Sequence, residues 1–213
     1  MSFKSEQLTY IKDKLSQINT KWVYANSILY KMCKEHPEHT NADYIVAKIW
    51  LIGRSYAAAI ERRKNKDEES TDDFYYEIVA PKLIAIGAEL DKRISYINKL
   101  KKIDEEYAPY ILETHKSLTD TFNEMTDLDK RSLASKYLHF HCPNAFFIFD
   151  SRAKTGINKF IKKDRNTKLP EIKNCDEEYK DFFFRMLELQ KTLEQKLNKK
   201  LNPRDLDGLL LGY

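Results

Sequence analysis

Three features of this 213-residue chain predict an all-α fold. Apolar residues recur at alternating spacings of three and four, the period of a helix with one buried face. Only five glycines and six prolines are present, too few for the turns of an all-β chain. Proline and polar clusters fall between the periodic stretches, where they act as helix punctuation. The expectation is seven or eight helices in two packed lobes, an N-terminal lobe 1–103 and a C-terminal lobe 104–213.

Leu8, Ile11, Leu15, Ile18, Trp22, Ala25, Leu29 and Met32 form one stripe. A first long helix is therefore expected, either packed on the core or paired with a second copy in a homodimer through residues 2–32. Pro37 ends it, and Asn41 caps a second helix, 42–66, whose AAA run and Gly53 let another backbone come close. KNKDEESTDD reads as a loop closed by Ser70 or Thr71, the cap of a third helix carrying Phe74 to Leu100 and kinked at Pro81. A fourth helix covers 104–125 and a fifth 127–141. Asp150 or Ser151 starts a sixth that runs through Lys163, and a seventh spans 176–198. At the end, Asn202 is a cap, Pro203 takes first position and Asp205 follows three past the cap, which is a strong helix start. NAFFIF is the one segment short and apolar enough to be a strand.

Hydrophobic residues at 42% and charged residues at 33% mark a globular, well-solvated chain. A net charge of +4 permits a nucleic-acid partner. The three cysteines are odd in number with no CxxC pair, which points to free thiols and a cytoplasmic location. No apolar run approaches the roughly 18 residues of a membrane span, so no membrane association is expected. The start, MSFKSEQLTY, lacks the apolar stretch of a secretory signal. No metal is expected either: His139 and His141 point apart on a helix, and His36 and His39 sit at a proline-broken end. No cofactor is implied.

The segment SLASKYLHFHCPNAFFIFDSRA, residues 132–153, concentrates the chemistry. Lys136 and His139 are three apart and share a helical face. Pro143 ends that helix, and the apolar run delivers Asp150 to the start of the next. An aspartate there reads as an N-cap, or as a carboxylate held rigid to face a developing cation. Lys136 reads as an ion-paired helix lysine or as a nucleophile. Basic clusters at Arg62, Arg63 and Lys64, at Lys99, Lys101 and Lys102, and at Lys159, Lys162, Lys163 and Arg165, together with Arg54 and Arg152, suit a nucleic-acid groove. Each cluster also lies at a helix end, where cations complement the dipole, and Arg54 could instead pair with Glu61.

Over about 132–160 the chain resembles the helix-hairpin-helix DNA glycosylases of the 8-oxoguanine type. Ser135-Lys136 matches their small-residue-then-lysine step, Pro143 their turn, and Ile148-Phe149-Asp150 the apolar run ending in the catalytic aspartate. TDLDKRSLA stands where that family has a glycine-rich hairpin, which places Lys136 mid-helix. The segment is also similar to a group of uncharacterised bacterial helical proteins with an S-K-x-L-H-F…P…D-S pattern. The resemblance implies a nucleic-acid base-processing enzyme, a glycosylase-like lyase acting on a flipped base in DNA repair or antiviral defence. Lys136 would attack C1′ and Asp150 would support the developing positive charge. Arg54, Arg62, Arg63, His139, Arg152, Lys159, Lys162 and Lys163 would contact the nucleic acid, DNA ahead of RNA. The alternatives are a catalytically inactive nucleotide- or nucleic-acid-binding module, and a helical scaffold.

Overall fold

The computed structural model describes residues 3, 5–17, 22–62, 73–163 and 168–211. Among them the regular structure is entirely helical, with nine α-helices and no strand. The extra helix comes from the N-terminal stripe, which is two helices, α1 (Ser5–Gln17) and α2 (Val23–Glu35). Trp22 stands between them in the left-handed region at φ 61, and a single helix cannot run through that conformation. The break redistributes the stripe. Ile11 and Leu15 are buried on α1 and Leu29 on α2, whereas Trp22 is 76% exposed and Ala25 faces outward.

Helix α3 (Ala42–Ser55) starts on the expected cap, with Asn41 Oδ1 accepting from the Tyr44 amide at 3.1 Å. It stops at Ser55 rather than running to 66. Ala57 takes a left-handed φ of 52, and the Ala58 amide donates back to the Gly53 carbonyl at 2.7 Å. The close approach that Gly53 permits is thus made by the chain's own return: a Cβ there would sit 3.2 Å from Ala59 Cα. The expected cap at Ser70 or Thr71 lies outside the described residues, as does Arg63.

A π-helical turn, Phe74–Val79, leads into α4 (Ala80–Asn98). Pro81 has no amide to give and its ring crowds the carbonyl four residues back, so the widened turn absorbs what a kink would otherwise take up. Helices α5 (Ala108–Thr126), α6 (Arg131–His141), α7 (Ser151–Phe160), α8 (Glu177–Leu197) and α9 (Pro203–Leu211) follow. The start of α9 is a reciprocal capping box: Asn202 Oδ1 accepts from the Asp205 amide at 2.8 Å, and Asp205 Oδ2 accepts from the Asn202 amide at 3.0 Å.

Helix α6 lies at the centre, packed on α2, α3 and α5, and every residue from Leu133 to His141 is buried. Helix α7 packs on α8 and α9, and α9 in turn packs on α1. These contacts cross the boundary expected at 103/104. In NAFFIF, Asn144 is exposed and residues 145–149 are buried, but the segment is not a strand, so its backbone groups need other partners. Side chains supply them. Phe146 O accepts from His139 at 2.8 Å, Phe147 O accepts from the Tyr179 hydroxyl at 3.0 Å, and the Phe149 amide donates to Ser135 Oγ at 3.0 Å.

Candidate functional site

A helix enclosed on several sides must draw partners for its polar side chains from its neighbours, and α6 carries five such side chains within seven residues: Ser135, Lys136, Tyr137, His139 and His141. The Lys136 side chain is 2% exposed. Its ammonium donates to the Tyr56 carbonyl at 3.1 Å and to Ser132 Oγ at 3.0 Å, and pairs with Asp150 Oδ2 at 3.2 Å. Three hydrogens meet three acceptors, and the Tyr56 ring lies 5.9 Å away as a further cation partner.

Asp150 is the expected N-cap and is also the ion-pair partner of Lys136. Its Oδ1 accepts from the Ala153 amide at 2.9 Å as the N-cap of α7, while its Oδ2 holds Lys136. One carboxylate therefore starts α7 and ties it to α6.

His139, expected among the nucleic-acid contacts, is fully buried and out of reach of a phosphate. It is a strut. A carbonyl only accepts, so the contact with Phe146 O puts the proton on Nδ1, and Nε2 then accepts from the Tyr30 hydroxyl at 2.6 Å. Burial pushes the His139 pKa down to about 4, which keeps the ring neutral near pH 7.

Two further residues of this cluster went unnoticed in the sequence. Arg204 and Asp207 on α9 pair at 2.7 Å, and the Arg204 guanidinium sits 5.7 Å from the Tyr56 ring centre. Asp207 is 2% exposed, and burial raises its carboxyl pKa to about 6. The charge of Asp150 adds to that rise, while Arg204, Lys136 and Arg152 oppose it. A signal was present: Asp207 follows Leu206 and is three before Leu210, on the apolar side of a short helix, where an unpaired carboxylate is out of place.

The expected basic residues separate. Arg54 pairs with Glu61, whose other oxygen accepts from the Tyr75 hydroxyl at 2.5 Å, although the Arg54 side chain itself stays more than half exposed. Arg62 is exposed, with its carbonyl held by Lys130. Arg152, Lys159, Lys162 and Lys163 are all exposed at or just beyond α7, and Lys163 approaches Asp181 at 3.6 Å. The opposite side of α7 (Ala153, Gly156, Ile157 and Phe160) is buried.

Among the described residues no group of histidine, cysteine, aspartate and glutamate is placed to hold a metal ion. His36 stacks on Tyr44 at 3.8 Å, while His39 bridges Asp91 at 2.5 Å and the Tyr137 hydroxyl at 2.7 Å. No described helix is long and apolar enough to cross a membrane. Comparison with family models, curated proteins and solved structures returned no match for this chain.

Proposed function

We propose that the protein binds nucleic acid through the outer face of α7, and that Lys136 and Asp150 form the clasp that presents this face. The observation that carries the reading is the engagement of all three Lys136 hydrogens in a buried site. A nucleophilic amine must present a lone pair to the sugar, and an ammonium whose hydrogens are all given to protein acceptors presents none. What remains for a partner is charge. Arg152 and Lys159 are seven apart on α7 and so share a side, with Lys162 just past its end, and the helix itself contains no carboxylate. A row of cations on an exposed helix suits a phosphate backbone, and regular double-stranded DNA presents the spaced charge to match.

A second reading is kept by the 3.2 Å between Lys136 and Asp150, which is the juxtaposition a glycosylase-like lyase requires. In that reading the bound nucleic acid has to open the clasp and release the amine. Ile11, Leu15 and Leu29 are buried within the chain, so a homodimer through 2–32 would have to use exposed apolar residues such as Trp22 of the stripe and Val23, Tyr24 and Ile28 outside it.

Fluorescence anisotropy with a labelled duplex tests the binding claim. Replacing Arg152, Lys159 and Lys162 with glutamate should weaken binding at least tenfold. It should also reduce the slope of log affinity against log salt by about 0.9 for each phosphate that the variant no longer neutralises. Unchanged affinity and slope in that variant would remove α7 as the interface.

A further inference from the structure

Helix α2 meets the rest of the chain on one side only. Leu29 and Cys33 are buried, and the Tyr30 ring lies against Phe140 with centroids 4.7 Å apart. The other side begins with four large apolar residues, Trp22 at 76%, Val23 at 52%, Tyr24 at 81% and Ile28 at 46% exposure. Neither Trp22 nor Tyr24 has a ring contact among the described residues. A ring of either kind buries roughly 150–250 Å2 when covered, so with the exposed halves of Val23 and Ile28 the patch offers about 500 Å2. That is the size at which an apolar patch on a single chain marks an interaction site.

The pattern along the helix indicates what covers it. Tyr24, Ile28, Lys31 and Glu35 recur at i, i+4, i+7 and i+11 and so share one side. Lys31 and Glu35 pair at 3.7 Å, both largely exposed, so this side is apolar at its start and carries no net charge at its end. A phosphate backbone or an anionic membrane finds no excess cation there. A second copy of the chain does fit. Isologous contact requires a self-complementary surface. Two α2 helices crossed antiparallel about an axis between Tyr24 and Ile28 set Tyr24 of each copy on Ile28 of the other. Covering the patch on both copies removes about 1,000 Å2 from water, the lower bound of a specific interface, with aromatic residues at its centre as such interfaces have.

We infer that the protein forms a two-fold homodimer through Trp22 and the N-terminal half of α2, with Trp22, Tyr24 and Ile28 at the centre of the contact. At this size the contact is a reversible one. The inference goes beyond the α7 reading, because it needs no nucleic acid and no residue of α7.

Sedimentation velocity of the full chain from about 5 to 500 μM tests it, together with the fluorescence of Trp22 in a Trp50→Phe background, which leaves no other tryptophan. The chain should pass from monomer to dimer with a dissociation constant below about 200 μM. Over the same range the Trp22 emission should move to shorter wavelength. Ile28→Glu and Tyr24→Ser should each weaken the dimer at least tenfold, or about 1.4 kcal/mol. Both residues are exposed, so both variants should melt with the wild type when dilute. The glutamate substitutions on α7 should leave the monomer–dimer equilibrium unchanged, so failure of one proposal is distinguishable from failure of the other. The inference is overturned by a chain that stays monomeric at about 500 μM, or by a dimer that neither Ile28→Glu nor Tyr24→Ser weakens. Trp22 emission that responds to phosphatidylcholine vesicles and not to protein concentration would overturn it as well.

Discussion

Breaking the Lys136–Asp150 pair strands an ammonium that is 2% exposed, and the size of that penalty is measurable. Asp150→Asn keeps a good N-cap but removes the counter-charge, so it should destabilise the fold by about 3 kcal/mol, the lower end for a broken buried pair because Asp150 is about a quarter exposed. Adding Lys136→Met to it should cost less than the two single changes summed, and a double-mutant cycle in denaturant measures the difference. Additive effects would show that the pair does not hold α7 to α6. A second residue-scale expectation concerns pH. The unfolded histidines titrate near 6.5, whereas burial lowers His115 and His139 to about 4 and lowers His39 and His141 as well. As pH falls from about 6.5 towards 4, the unfolded chain binds protons that the folded chain refuses, so stability falls. Asp207 acts in the opposite sense. Its folded carboxyl at about 6 keeps a proton that the unfolded group, near 3.8, has released, so over that window it favours the folded state as pH falls. Four histidines outweigh one aspartate. The melting temperature should drop on acidification, and Asp207→Asn should make the drop steeper. A drop of unchanged or smaller slope in that variant would contradict the burial assigned to Asp207.

At the scale of elements, the crossing of α7 and α9 depends on Gly156. A Cβ there would sit 2.7 Å from the Leu210 carbonyl oxygen and 2.9 Å from Leu210 Cβ, a contact the helices relieve only by moving apart. Gly156→Ala should therefore destabilise by about 1–3 kcal/mol despite its better helix propensity, read as a lower denaturation midpoint. A stabilised variant would show that the helices do not meet so closely. The capped helix starts were legible because capping is local: Asn41, Asp150 and Asn202 each accept a backbone amide within three residues, whereas α5 and α6, which lack a side-chain cap, start four residues after the expected 104 and 127. The interior ends were not. Nothing near Trp22 marks a break, and its left-handed φ cuts a stripe whose spacing is unbroken. The AAA run read as helix because alanine is the best helix former, but the return of Ala58 onto Gly53 overrides that propensity.

For the whole molecule, the all-helical class followed from apolar periodicity, the scarcity of glycine and proline, and the punctuation between periodic stretches, whereas the site was legible only in its local part. Lys136 and Asp150 lie within one helix-turn-helix segment: capping placed Asp150 at the start of α7, and the glycosylase resemblance is what joined it to Lys136. Tyr56, Tyr30, Arg204 and Asp207 reach the same cluster from α2, the end of α3 and α9, and their convergence is set by how α6 packs, which spacing along the chain does not encode. The exposed cations of α7 lie outside that cluster, and the division of labour between a buried clasp and a charged face is the central claim. It is tested most directly by borohydride trapping of the wild-type protein on a duplex carrying an abasic site, with the same mixture also run on a native gel. The account predicts a salt-sensitive complex on the native gel and no covalent adduct after borohydride. A trapped adduct that disappears in Lys136→Gln while binding persists would contradict it and make Lys136 a nucleophile, and the absence of any complex would remove the nucleic-acid reading altogether.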